Sequence, residues 1–544
     1  MKNKLWGLLI GLVLTVFFTF PLLTKFSSHL SSRQDGVLVA WLIDWGSQSL
    51  IENQNFFNAP FFYPYQNTIG YSDLFLPTAV LNIPIKFIQN FYHNTFNLTE
   101  PQLNTLIFNH NLHLFLGSIL TFWGQYLLGL YLFKEKKLAT LSGIIFAFSN
   151  MHLDYMAHLH VFLVAGIPFY FLFLFKFIDT KKTKYLLLTS LAIIYQLLNS
   201  PMSGLFLIVM SLISLVNKNI RKTLWENKKL ISLYILSSAL LVGFFYLPYF
   251  SVTKQFSYTR TIRDSAHFAF SLNKFLLPEI IFYLGLLFTL IKIKTKEKKV
   301  NINKNKLPKY FLIFLLFTIL GALLMLGPAL KINDQTFKIL NIPIPLPYTL
   351  FYYLFPGFKA FRASSRWIII FAFGLSIIIS YLIKNIKLNK INKNTFLNTL
   401  LITTTSLLWI TQVPQLKIFP INMELPAIYK VVKQRKEKVL AEFPTYIWSQ
   451  TNDHYKESDR LLYQSYHQKK LYNGFSGFAP PERENLWHTI SDNLNSDEMV
   501  QHLKDSKVEL VLLHGDENQD YINFSSPNYQ IITCKNKDCL YQLK

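Results

Sequence analysis

LWGLLIGLVLTVFFTF, Leu5 to Phe20, followed after Pro21 by SSHLSSRQDGVLVAWLIDWGSQSL, Ser27 to Leu50, decides how this chain is read. The first run is a membrane helix, with Lys2 and Lys4 marking its cytoplasmic end. The second places a carboxylate, Asp35, fifteen residues past Phe20 on the opposite side of the bilayer. If the chain is an enzyme, its chemistry is expected there.

Working outward, the 544 residues are 51% hydrophobic, 16% aromatic and only 15% charged, a balance that a soluble chain of this size cannot bury. The expectation is an α-helical multi-pass membrane protein. The formal net charge of +24 would favour nucleic acid on a soluble face, but the Lys and Arg gather in short clusters between apolar runs and read as topology signals. No nucleic-acid partner is expected. The first segment has the charged start of a signal peptide without a small-residue cleavage site, so an uncleaved helix is expected.

Apolar runs near Leu5–Phe20, Leu112–Phe133, Leu138–Asn150, Val161–Ile178, Tyr185–Leu198, Leu205–Val216, Leu230–Phe250, Phe275–Ile291, Tyr310–Leu326, Trp367–Ile383 and Phe396–Val413 predict about eleven transmembrane helices. Basic clusters at Lys134–Lys137, Asp179–Lys184, Asn217–Lys229, Lys292–Lys306 and Lys384–Asn394 fall in alternate connections. With Lys2 and Lys4 they place the N-terminus in the cytoplasm and the C-terminus outside. The expected localisation is the plasma (inner) membrane. No apolar span carries a charge deep in its interior, which lowers the transporter reading.

A membrane domain is expected over 1–413, with a first external loop of about 23–106, and a separate extracytoplasmic α/β domain over 414–544. Within the first loop, FFNAPFFYPYQNTIGYSDLFLPTAVLNIPIKFI has aromatic, Pro and Asn punctuation and predicts short interfacial helices. In the tail, KVLAEFP and KVELVLLHG read as buried strands, SDEMVQHLKDS as a helix capped by Ser496, and YQIITCKNKDCLYQL as two strands around a short turn. Cys534 and Cys539 flank that turn; outside the cytosol they could close it as a disulfide, and free thiols are the alternative.

Asp35 and Asp154, in successive external loops, could divide general-base and orienting work; as plain structure, Asp35 would be a helix N-cap and Asp154 a solvated loop acid. Asp44 reads as a structural hydrogen-bonding group. HLDYMAHLH carries His152, Asp154, His158 and His160, residue types that suit a divalent cation such as Mg or Mn without matching an established spacing. Asp154, His152 and His158 are the candidate ligands. Arg260, Arg263, Arg362 and Arg366 lie on the face where positive charge is unusual, and guanidinium groups there suit a phosphate head group, with headgroup snorkelling as the alternative.

QDGVLVAWLIDW (Gln34–Trp45), FFYPYQNTIGYSDLFL (Phe61–Leu76), IPLPYTLFYYLFPGFKAFRASSRW (Ile344–Trp367) and LYNGFSGFAPPE (Leu471–Glu482) carry a resemblance to the GT-C superfamily of integral-membrane glycosyltransferases, most closely to a bacterial multi-pass group within or near it. The resemblance implies a GT-C-like fold and transfer of a sugar from a polyprenyl-phosphate carrier to a cell-envelope glycan or lipid acceptor. It gives Asp35 the role of the first-loop acid and Asp154 that of the second-loop acid. Asp35 is followed by Gly36 instead of a second acid, and no WWD-type sequence occurs, so protein O-mannosyl transfer and oligosaccharyl transfer are not implied. The competing classes are a lipid or polysaccharide flippase and a non-catalytic scaffold.

Overall fold

The computed structural model describes residues 2–96, 103–257, 259–276, 280–286, 288–289, 309–385, 392–447, 453–483, 493–522 and 524–544. The chain forms two compact units. The first holds Met1–Thr24, Leu114–Phe245 and Thr259–Leu416, and the second holds Lys25–His113, Tyr246–Tyr258 and Lys417–Lys544. One break between the units falls at Leu416/Lys417, and the stretch Lys25–His113 groups with the tail.

In the first unit, α1 spans Lys2–Leu23. Six helices are long and apolar enough to cross a membrane, or up to eight if two bent helix pairs each count as one, among the described residues. The expected count of about eleven is not reached among the described residues. Several apolar runs end too soon: the helix Lys136–Ala147 has 12 residues, Pro201–Ser214 has 14 and Phe311–Met325 has 15. At 1.5 Å per residue the shortest reaches about 18 Å, well under a hydrocarbon core of about 30 Å. The expected span Phe275–Ile291 falls partly outside the described residues.

Small residues let these helices approach, because lipid leaves packing rather than hydrophobic exclusion to hold apolar helices together. A Cβ at Gly321 would stand 2.4 Å from the Phe371 backbone nitrogen, and one at Gly374 would stand 2.4 Å from Thr318 Oγ1. These glycines hold Phe311–Met325 against Ile368–Lys384. Phe171, Phe314, Phe317 and Phe373 fill the adjoining space, with Phe171 and Phe317 ring centroids 5.1 Å apart. Buried Gln125 donates to Ser142 Oγ at 2.9 Å and Ser376 Oγ at 2.8 Å, tying three helices with one amide.

In the second unit, helix α2 spans Gln34–Ile51 and α3 spans Leu76–Thr95. The two pack through polar groups: Asn82 Nδ2 donates to Ser47 Oγ at 3.0 Å, and Lys86 Nζ pairs with Asp44 Oδ1 at 2.7 Å. The opposite face of α3 exposes Leu81, Phe87, Ile88 and Phe91. A helix that buries its polar face and turns its apolar face outward is stable against lipid, which gives the expected interfacial helix a physical basis.

The tail of this unit is α/β. Helix α4 spans Tyr455–His467, and five strands, β1 (Val439–Phe443), β2 (Lys470–Leu471), β3 (Leu510–His514), β4 (Tyr529–Lys535) and β5 (Asp538–Leu543), form a sheet in the order β4-β5-β3-β1-β2. β1 runs parallel to β2 and β3, while β5 is antiparallel to both β3 and β4. β1 and β3 are buried throughout, as their apolar runs require. Ser496 caps the helix Asp497–Asp505 by accepting from the Met499 N–H at 3.2 Å. Cys534 and Cys539 face each other across the β4/β5 hairpin and are joined as a disulfide.

Candidate active site

Two stretches of the first unit that the sequence singles out separately meet in space. After the helix Lys136–Ala147 the chain turns through Asn150–Leu153 and a short 3-10 turn, Asp154–Ala157. His152 fixes this turn: Nδ1 lies 2.9 Å from the Ala147 carbonyl and Nε2 lies 2.9 Å from the Phe162 carbonyl, with the ring stacked on Phe162 at 4.3 Å. A histidine with both ring nitrogens turned to backbone carbonyls has none left for a cation, so His152 is a structural clamp rather than the expected ligand. Among the described residues no three His, Cys, Asp or Glu side chains form a metal-holding group. No step is assigned to a Mg or Mn ion.

The turn carries Asp154, Tyr155, His158 and His160, of which Tyr155 and His160 meet the segment Arg362–Trp367. Tyr155 hydrogen-bonds Ser365 and lies within reach of the Arg366 charge; burial still pushes its phenol up to about 12. Arg366, His158 and Arg362 all act electrostatically on His160. The arginine segment is itself braced. Arg366 Nη1 reaches Met202 Sδ at 3.5 Å, Arg362 stands 5.0 Å over the Phe268 ring, and Trp367 stacks on Phe358 at 5.2 Å.

Asp154 is solvent-accessible, yet surrounding protein replaces enough water to push its carboxyl up to about 6, with Lys274 pulling the other way. A carboxyl in that range exchanges a proton near neutrality. Its side chain stays exposed like that of a loop acid, while its carboxyl is shifted upward. Arg260 and Arg263 lie on the neighbouring segment. The Arg260 N–H donates to the Lys359 carbonyl at 3.1 Å, Tyr352 Oη donates to the Arg260 carbonyl at 2.6 Å, and Arg263 is exposed in the first turn of Ile262–His267. Sequence reasoning missed Lys274, which carries no local signal, and Tyr155 and Ser365, which sit inside the quoted stretches.

Asp35 belongs to the second unit. It lies in the first turn of α2, whose N-cap is Arg33, so the carboxylate complements the positive helix end without being the cap. Arg33 pairs with Asp459 of α4 at 3.1 Å and stands 3.7 Å over the Tyr455 ring. At Gly36, where a second acid is missing, a Cβ would lie 3.1 Å from Leu30 Cδ1, a tight approach to a movable side chain. The glycine-aromatic stretch Leu471–Glu482 packs inward. Phe475 is buried, the Phe478 and Tyr71 rings lie 4.7 Å apart, and buried Arg483 donates to the Tyr472 carbonyl at 2.6 Å and the Tyr63 carbonyl at 3.1 Å.

No protein-family model and no curated relative matches the chain. Among solved structures, ArnT from Cupriavidus metallidurans bound to undecaprenyl phosphate is similar over 99% of this chain and 97% of that chain, at 9% identity and a TM-score of 0.48. The same ArnT in the apo state is similar over 100% of this chain and 98% of that chain, at 9% identity and a TM-score of 0.49.

Proposed function

We propose that this protein is a glycosyltransferase of the inner membrane, N-terminus in the cytoplasm and tail outside, that moves a sugar from a polyprenyl-phosphate carrier to a glycan or lipid acceptor of the cell envelope. One observation supports the reading: Arg362 and Arg366 both act on His160, Arg366 also acts on Tyr155, and Tyr155 adjoins Asp154 with its carboxyl raised to about 6. Two guanidinium groups, an imidazole and a phenol suit a phosphate monoester, and a nearby acid that titrates close to neutrality suits proton transfer.

The acceptor hydroxyl oxygen bonds to the anomeric carbon as the bond from that carbon to the phosphate oxygen breaks. The hydroxyl proton passes to a carboxylate, and the polyprenyl phosphate leaves with its charge met by Arg362 and Arg366. Asp154 can take that proton on its own electrostatics; Asp35 holds the same role through the sequence resemblance. A single displacement inverts the anomeric centre.

The test uses the full-length protein with a panel of radiolabelled polyprenyl-phosphate sugars and cell-envelope glycan and lipid acceptors, following release of label from the carrier into water-soluble or acceptor-linked product. Wild type releases label, Arg366→Gln is strongly impaired, and whichever of Asp35→Asn and Asp154→Asn abolishes release identifies the base. Absence of release from every carrier by folded protein refutes transfer.

A further inference from the structure

Helix α2 carries a second feature on the side away from Asp35. Asp44 follows Asp35 by nine residues, which on an α-helix is about 13.5 Å along the axis and two and a half turns, so the two carboxylates point to opposite faces. On the Asp44 face a cavity of about 340 Å³ opens between α2, the 58–66 segment and α4. It runs into a second of about 270 Å³, the two sharing Asp44, Gln48, Ser465 and Gln468 in their walls. Together they make a polar cleft of ligand-binding size.

Its floor is rigid and aromatic. Trp45 stacks on buried Trp41 with centroids 6.0 Å apart and planes 5° from parallel. Trp41 Nε1 is fixed by Gln464 Oε1 at 3.0 Å and Trp45 Nε1 by the Phe56 carbonyl at 3.0 Å. Tyr63 stands beside them with Lys470 4.8 Å over its ring, and its hydroxyl makes no hydrogen bond among the described residues. The walls are amides and carboxylates: Gln48, Gln468, Glu52 and Asp44, the last paired with Lys86 at 2.7 Å. Flat aromatic faces take the C–H face of a pyranose, while amides and a carboxylate take its hydroxyls. Lys86 is paired with Asp44, and Lys470 and Lys433 stand in the walls with Glu52, so charges of both signs line the cleft and no arginine pair does.

We infer that this cleft binds a segment of the acceptor glycan, as a subsite set apart from the Asp35 face of the same helix. The inference rests on the transferase reading for the origin of the glycan and on the cleft alone for sugar binding. It assigns Trp45 and Tyr63 as stacking residues, and Asp44, Gln48 and Gln468 as hydroxyl partners. A growing or pre-assembled polymer held here stays with the protein between transfers.

The experiment titrates the purified full-length protein with triacetylchitotriose, maltotriose and mannotriose, reading tryptophan fluorescence and calorimetric heat, with no carrier lipid present. At least one trisaccharide binds saturably, Trp45→Ala and Tyr63→Ala each weaken it about tenfold, and Asp35→Asn binds as wild type. Tyr63→Ala and Gln468→Ala, at partly exposed and exposed positions, keep the test decisive should Trp45→Ala fail to fold. Saturable binding of none of the three, or binding indifferent to the cleft substitutions, overturns the inference. Displacement of the trisaccharide by a carrier-linked sugar overturns its assignment to the acceptor. Trisaccharide binding without label release in the transfer assay leaves the cleft standing and removes the transferase reading, whereas release that survives loss of trisaccharide binding does the reverse.

Discussion

The tail contains a buried ionic cluster whose pH response can be worked out. β1 places Glu442 and β3 places His514 side by side in the sheet core; His514 Nε2 lies 3.0 Å from Glu442 Oε2, and Nδ1 lies 3.2 Å from Asp538 Oδ1. Tyr429 Oη donates to Glu442 Oε2 at 2.6 Å, and Arg460 binds Glu457 at 2.7 Å and Glu517 at 2.9 Å. Burial alone would lower the His514 pKa. Its hydrogen bonds to Asp538 and Glu442 outweigh burial and carry it from 6.5 to about 9. A folded-state pKa raised by about 2.5 units is worth about 3 kcal/mol, fully present below pH 6.5 and lost as pH climbs through 9. Glu457 acts in the same direction at lower pH. Burial pushes its carboxyl up to about 7, with Arg460 pulling it down and the Glu442 charge adding to the rise.

Hydrogen exchange of the β1 and β3 amides in the full-length protein, corrected for intrinsic rates, reads this directly. Wild-type protection falls in two steps, near pH 7 and near pH 9. His514→Gln keeps the first step, lacks the second, and is less protected than wild type at pH 7 by about 2 to 3 kcal/mol. If variant and wild type lose protection equally between pH 8 and 10, the ion-pair account of the cluster is refuted.

Three further outcomes are expected. Arg366→Gln lowers carrier-dependent transfer about 10- to 100-fold, the worth of a charged hydrogen bond of about 1.5–3 kcal/mol, with expression and membrane insertion unchanged; steady-state rates over a carrier series check this. If Asp154 is the base, transfer rises with pH through about 6, and Lys274→Ala moves that limb upward because Lys274 holds the pKa down, as a pH-rate profile shows. Gly374→Leu collides with Thr318 and the Phe314 carbonyl and costs several kcal/mol, so the variant unfolds at lower temperature in detergent by differential scanning fluorimetry.

The spans and the tail strands were legible because their signals are local. Runs such as Trp367–Ile383 announce burial by composition, and the alternation of apolar and turn residues in KVELVLLHG and YQIITCKNKDCLYQL marks strands without reference to anything distant. Span number was less legible, since an apolar run says nothing of where its helix bends or stops: the run to Val216 ends in a 97° break between Pro201–Ser214 and Lys218–Glu226. Of the candidate site, the residue types in HLDYMAHLH and FRASSRW were readable, but the part each plays was not. His152 resembled a ligand until both its nitrogens met carbonyls, and Asp154 resembled a solvated acid until its surroundings raised its pKa.

Hydrophobicity and period act over a few residues, so apolar membrane helices and an α/β tail could be read locally, while the choice between free thiols and a Cys534–Cys539 disulfide waited for the hairpin to form. Only the tertiary structure decided which distant groups share one environment: Ser365 beside Tyr155, His514 against Glu442, Arg33 of the first loop paired with Asp459 of the tail, 426 positions away. It also decided that α3 turns its apolar face outward and that α2 carries Asp35 and the Trp45 cleft on opposite sides. The reason is that pKa, cavity shape and ion pairing depend on which faces meet, and that is set by packing among side chains far apart in the chain.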